Sequence, residues 1–163
     1  MPEDREWFTR ALSHDDPEVR WIAVVELSEQ PSGDSADLLV LALQDKDFTS
    51  IRWRAAVALG EQKSRSATGA LIDALSDVNE HVREEAAEAL GKIGDESAIP
   101  ALIRSLGDPG RGVRLRAVRA LEAFGPAAEP ALKDAPGVEG NVFSRAVRDA
   151  LDGIADRKGR MQR

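Results

Sequence analysis

The stretch VREEAAEALGKIGDESAIPALIRSLGD, residues 82–108, alternates apolar and polar residues at intervals of three and four on both sides of a turn at Gly94 and Asp95. That is the period of two short amphipathic helices. Its first half has counterparts on either side. PEVRWIAVVELSE (17–29), TSIRWRAAVALGE (49–61), EHVREEAAEALGK (80–92) and RGVRLRAVRALEA (111–123) superpose on an apolar-Arg pair followed seven residues later by Leu. The arginines Arg20, Arg52, Arg83 and Arg114 are therefore spaced by 32, 31 and 31 residues. A second series, Leu12, Leu43, Leu75 and Leu106, repeats at 31, 32 and 31. Two independent registers with one period of about 31 residues make this a tandem repeat of helix pairs.

The apolar periodicity places first helices near 2–13, 34–44, 66–76, 96–107 and 126–133, and their partners near 17–29, 48–61, 79–93, 110–124 and 141–155. Pro17 and Pro126 suit first-turn positions, where a missing N–H costs little. The expectation is one all-α domain over 1–163, with units near 2–30, 34–61, 65–93, 96–124 and 126–156. A loop at 134–141 and a flexible basic tail at 157–163 complete it. The first unit shows the packing logic. Val19, Ala23, Val24 and Leu27 fall on one helical arc and face the stack. Alanines at 55, 56, 86, 87 and 117 let helices approach closely, and Gly60 and Gly91 relieve crowding near helix ends.

The quoted stretch resembles a HEAT-like repeat of the phycobilisome-lyase type, most specifically in units three and four and over roughly residues 12–132. The resemblance implies a right-handed α-α superhelix of about five helix pairs whose second helices line the concave face. It also implies an Asp-Arg ladder along the stack. Asp45, Asp77 and Asp108 each follow the unit's Leu by two residues, and the recurrent arginine can bury its alkyl stem while its guanidinium reaches the loop. In the first unit that position is His14, so Asp15 or Asp16 is expected to substitute. Unit two lacks the Gly-Asp turn at EQKSRSAT, where a looser turn is expected. Unit five replaces the Val-Arg pair with NVFSRAV.

Composition narrows the function. The 163 residues carry a net charge of -7, which opposes nucleic-acid binding as a default, because phosphate contacts need a dominant basic stripe. With no Cys there are no disulfides, thiolate metal sites or cysteine nucleophiles, and a reducing cytoplasm fits. No apolar run approaches the roughly 18 residues needed to cross a bilayer. Phosphate loops, nucleophile elbows and His-Glu-x-x-His are missing. HEAT-like enzymes resembling deoxyhypusine hydroxylase carry repeated His-Glu pairs as metal ligands, but here His14 precedes Asp15 and His81 precedes Val82. Glu84, Glu85 and Glu88 read as a solvated helix face rather than a metal set. The expectation is a non-enzyme with no cofactor and no metal.

Columns that vary between repeats carry the functional reading. The residue after each recurrent arginine is Trp21, Trp53, Glu84 and Leu115, outside the core arc. Two tryptophans at equivalent positions of adjacent units stand about 8 to 10 Å apart. Ile22 and Val25 in unit one, and Arg54 and Val57 in unit two, extend this surface. Glu84, Glu85 and Glu88 follow in unit three, and Arg116 and Arg119 in unit four. A contiguous apolar patch on a repeat protein marks an interaction site, and Trp and Arg favour binding hot spots. The first reading is a scaffold that takes a peptide or helix of another protein on its concave face. Alternatives are cover of Trp21, Ile22 and Val25 by the N-terminal helix through Trp7 and Phe8 or by a second copy of the chain in a homodimer, an accessory subunit of a bilin lyase-like or other modification complex, and nucleic-acid binding through RGVRLRAVRAL and the basic tail.

Overall fold

The computed structural model describes residues 2–29, 35–135 and 141–161. Among these the chain forms ten α-helices, named in order: α1 (Pro2–Leu12), α2 (Pro17–Glu29), α3 (Ser35–Leu43), α4 (Thr49–Glu61), α5 (Thr68–Ala74), α6 (Glu80–Ile93), α7 (Ile99–Ser105), α8 (Arg111–Phe124), α9 (Glu129–Lys133) and α10 (Val142–Met161). Short 3-10 turns at Arg65–Ala67, Glu96–Ala98 and Gly125–Ala127 lead into α5, α7 and α9. The helices pair consecutively into five units, so the chain is the expected all-α solenoid. The loop expected at 134–141 falls mostly on residues 136–140, outside the described residues, as does position 34 at the start of α3.

The core is built from Leu and Ala. Leu39, Leu59, Leu71, Leu90, Leu102 and Leu121 are fully buried, and so are alanines 55, 56, 86, 87 and 117. Second helices α2, α4, α6 and α8 pack along one another far more extensively than the first helices do. Two glycines make this possible. A Cβ on Gly60 would stand 2.8 Å from both Cα and Cβ of Ala89, and one on Gly91 would stand 2.8 Å from the Ala120 Cβ and 2.9 Å from its Cα. The backbones of α4, α6 and α8 therefore approach to a distance that only glycine permits.

The ladder joins each unit to the next, which corrects the expectation for unit one. Arg20 donates from Nε to Asp45 at 2.7 Å and from Nη1 to the carbonyls of His14 and Asp15. Asp15 contributes its backbone, and no acidic side chain is needed in the first loop, because the carboxylate comes from unit two. Arg52 reaches Asp77 and the Asp45 carbonyl, and Arg83 reaches Asp108 and the Asp77 carbonyl, in the same way. Each aspartate also folds its own loop: Asp45 accepts from the N–H groups of Asp47 and Phe48, Asp77 from Asn79, and Asp108 from Gly110. Arg114 keeps the carbonyl contacts, to Asp108 and Pro109, and has no carboxylate partner among the described residues.

Two other expectations change. The turn after α4 is not looser. Lys63 takes the left-handed conformation, φ 50°, that Gly94 takes after α6 at φ 69°, and Ser64 N–H closes the turn onto the Leu59 carbonyl. The basic segment 157–161 is helical rather than a free tail. Arg157 pairs with Glu122 of α8 at 3.3 Å and Lys158 with Glu129 of α9, which anchors the last turns of α10 to the preceding unit and to its own partner helix. Hydrogen bonds from Lys133 and Lys158 hold the Glu129 carboxyl down to about 2. Residues 162 and 163 lie outside the described residues.

Candidate functional site

The outward side of the second-helix layer presents the columns that vary. Trp21 and Trp53 are each 38% exposed and Ile22 is 50% exposed, while Val25 and Val57 are half-buried beside them. The two indoles occupy equivalent positions on α2 and α4, each directly after a ladder arginine. Their bases are fixed because that arginine is buried: the guanidinium is held in the loop, so the next residue must point away from it. Trp7 and Phe8 form an edge-on pair with each other, centroids 5.0 Å apart, and Trp7 is itself 45% exposed.

The charged half of the surface is partly self-compensated. Glu88 on α6 accepts from Lys92 at 3.0 Å and from Arg116 on α8. Burial raises the affinity of Glu88 for its proton, but the Lys92 and Arg116 contacts outweigh it and the carboxyl titrates below its ordinary range. Glu85 behaves oppositely. Burial, then the neighbouring Glu88, pushes its carboxyl up, and Lys92 and Arg116 offset only part of this. Glu84 packs its carboxylate over Gly112, where a side chain would collide with it. Arg119 is exposed. The structure thus brings Glu88 and Arg116 together in one ion pair, whereas Arg54 contacts Ser28 of the preceding unit, Nη2 to Oγ 2.7 Å.

Some exposed apolar residues were outside the sequence reading of the site. Leu115, 47% exposed, is the fourth member of the post-arginine column and continues it onto α8. Phe48, 40% exposed, lies under the Arg20 guanidinium with the carbon 5.3 Å from its ring centre, a cation-π contact at the loop edge. Column membership signals Leu115. Phe48 has no repeated counterpart, since Asn79 and Gly110 hold its place, so periodicity is silent there.

The loop edge also holds an open depression of about 590 Å³ lined by Leu12, His14, Arg20, Leu41, Asp45 and Asp47. Of its charged groups Arg20 and Asp45 are used in the ladder and Asp47 stands 3.8 Å from Arg20, while Asp15 and Lys46 also line it. His14 accepts from the Asp16 N–H through Nδ1 at 3.0 Å. Among the described residues no group of three His, Asp or Glu side chains is placed to hold a metal ion, and no helix is long and apolar enough to cross a membrane.

Comparison with known proteins places the fold. A family model for HEAT repeats matches residues 36–122, more than half of the chain. A search of curated proteins finds no match. Among solved structures, the complex of CpcE and CpcF of phycocyanin lyase from Nostoc sp. PCC7120 is similar with a TM-score of 0.69 at 26% identity, covering 94% of this chain and 65% of that one. This chain therefore spans somewhat less than two thirds of that relative's length. An engineered protein from the Northeast Structural Genomics Consortium aligns with a TM-score of 0.62 at 21% identity over 95% of this chain and 80% of its own. A designed armadillo repeat protein in complex with the peptide (KR)4 aligns at 0.59 and 20% identity, over 90% and 80%. The extent of the family match, the two-helix units and the ladder agree: this chain belongs to the HEAT-repeat family, with its likeness on the phycobilisome-lyase side.

Proposed function

We propose that this protein is a non-enzymatic interaction scaffold whose five units, near 2–30, 34–61, 65–93, 96–124 and 126–156, act as one domain binding a peptide or helix of another protein. The carrying observation is the pair Trp21 and Trp53, both 38% exposed at the same place in adjacent units. In a curved stack the more closely packed layer lies on the inside. The glycine-mediated approach of α4, α6 and α8 therefore supports a concave face formed by the second helices, with the indoles in it. Indole surface held by a rigid scaffold is ordered before binding, so little conformational entropy is lost on contact. A cysteine-free chain of this composition suits the cytoplasm.

A second reading, accessory subunit of a lyase-like or other modification complex, is favoured by one observation, the likeness to a phycocyanin lyase complex of two named proteins. Both readings share the same surface. The test is Trp21→Ala combined with Trp53→Ala. Helical circular dichroism and the melting curve stay close to those of the parent while partner capture is lost. If the double variant unfolds, the indoles belong to the core and the scaffold reading fails. A consistent enzyme subunit among the captured proteins selects the accessory reading.

A further inference from the structure

The repeat itself serves as an internal control for one side chain, Arg54. Two residues after the ladder arginine the units carry Ile22, Arg54, Glu85 and Arg116, and five residues after it they carry Val25, Val57, Glu88 and Arg119. Between units three and four these columns meet, and Arg116 pairs with Glu88. The same step between units one and two brings Arg54 to the place where a carboxylate would stand, but Val25 occupies it.

What remains for Arg54 is a single neutral acceptor. Its Nη2 donates to Ser28 Oγ at 2.7 Å, and that hydroxyl gives its own proton to the Val25 carbonyl at 2.6 Å. Arg54 Nε is buried and has no hydrogen-bond partner, alone in this respect among the buried side-chain atoms of the described residues. No carboxylate of the described residues lies within ion-pair distance of it. A half-buried guanidinium with an unused donor is an incomplete site, because removing the charge from water is not repaid by a counter-ion. The remaining Nη hydrogens stay available at the surface, on the helix that bears Trp53 and against the helix that bears Trp21.

We infer that Arg54 is the anchor for a carboxylate of the bound segment, so that this protein selects peptides in which an Asp or Glu is flanked by aromatic or aliphatic residues. This rests on the scaffold reading above and names its ligand chemistry. A planar guanidinium matches a carboxylate through paired charge-assisted bonds, and Trp21, Ile22 and Trp53, exposed on the same two helices, suit apolar side chains elsewhere on the segment. The overall charge of -7 opposes a polyanion such as nucleic acid but not a single acidic residue on an otherwise apolar segment.

The experiment is selection of a phage-displayed library of random dodecapeptides on three immobilised proteins: the parent, Arg54→Gln, and the variant carrying Trp21→Ala with Trp53→Ala. Circular dichroism confirms that each is folded. The parent is expected to enrich peptides with an excess of Asp and Glu beside apolar residues. Arg54→Gln is expected to lose the acidic excess while keeping the apolar one. A synthetic peptide from the parent pool should bind Arg54→Gln about 10-fold more weakly. Replacing its acidic residue by the amide should weaken binding to the parent by the same factor and leave binding to Arg54→Gln unchanged. Indole-dependent enrichment without acidic excess, or an acidic excess that survives Arg54→Gln, overturns the inference and leaves the scaffold reading intact. A parent that enriches nothing beyond the double tryptophan variant overturns both.

Discussion

Arg52 of α4 and Asp77 in the loop after α5 meet through two parallel hydrogen bonds, Nε to Oδ2 at 2.7 Å and Nη2 to Oδ1 at 3.0 Å, and their side chains are only 10% and 11% exposed. This fork fixes both distance and angle between units two and three, and Arg83 with Asp108 repeats it one step on. The stack is thus held by packing along the second helices and by a charge-paired seam along the loops.

Loss of one partner leaves the other buried and charged. Asp77→Ala is expected to destabilise the protein by about 3 kcal/mol in urea unfolding. Arg52→Lys is also expected to be destabilising, since an ammonium cannot reproduce the fork. A loss below about 1 kcal/mol for Asp77→Ala would mean that the seam is decorative.

The seam sets an acid limit. Burial raises the proton affinity of Asp77, but the Arg52 hydrogen bond, the Asn79 N–H and the charges of Arg52 and Arg83 together bring its titration below the ordinary carboxylate range. A carboxyl lowered in the folded state contributes stability that is complete above the ordinary value and is lost as pH falls through the lowered one. Asp77→Asn should flatten the acid limb of a stability-against-pH curve. An unchanged limb would show that other carboxyls govern it.

Glu85 has the opposite sign. Its carboxyl is raised by burial and by Glu88, so its contribution is complete below the ordinary glutamate range and declines as pH rises through the raised value. Glu85→Gln should raise the melting temperature at pH 7 and leave it unaltered at pH 3. Equal melting at pH 7 would remove the desolvation argument.

Glycine substitutions separate helix propensity from stacking. Ala in place of Gly normally favours a helix by about 1 kcal/mol. At Gly91 the new methyl meets Ala120 Cα at 2.9 Å, so Gly91→Ala should instead destabilise by about 1 to 3 kcal/mol as α6 and α8 are forced apart. Gly69 in α5 has nothing within 4 Å of such a methyl, and Gly69→Ala should stabilise. Parallel thermal melts of the two variants decide it.

Lys63 holds φ 50° where the next unit uses Gly94. Lys63→Gly should stabilise by about 1 kcal/mol, because a side chain in the left-handed region costs that much. Unchanged melting would mean that the lysine side chain compensates through contacts of its own.

Much of the fold was readable because a solenoid is local. Each unit contacts only its neighbours, so a residue's environment recurs about 31 positions later, and the columns at Leu27, Leu59, Leu90 and Leu121 announce themselves as buried. The helical continuation over 157–161 was not readable. Its composition is that of a solvated end, and only Glu122 and Glu129, far away in sequence, supply the counter-charges that hold it.

Period and amphipathic pattern alone dictate helix pairs, their stacking and the columns that must be small, because these follow from 3.6 residues per turn and from excluded volume. Exposure of the tryptophan column follows from the same geometry. Which carboxylate each arginine meets could not be read that way. Arg20 takes Asp45, 25 residues ahead, because the stacking angle brings the next loop nearer to the guanidinium than any acidic side chain of its own loop. The same stacking leaves Arg116 paired and Arg54 without a carboxylate, although both are arginines in one column. A charge is satisfied or orphaned by what the neighbouring unit places within about 4 Å, a distance that no single repeat encodes.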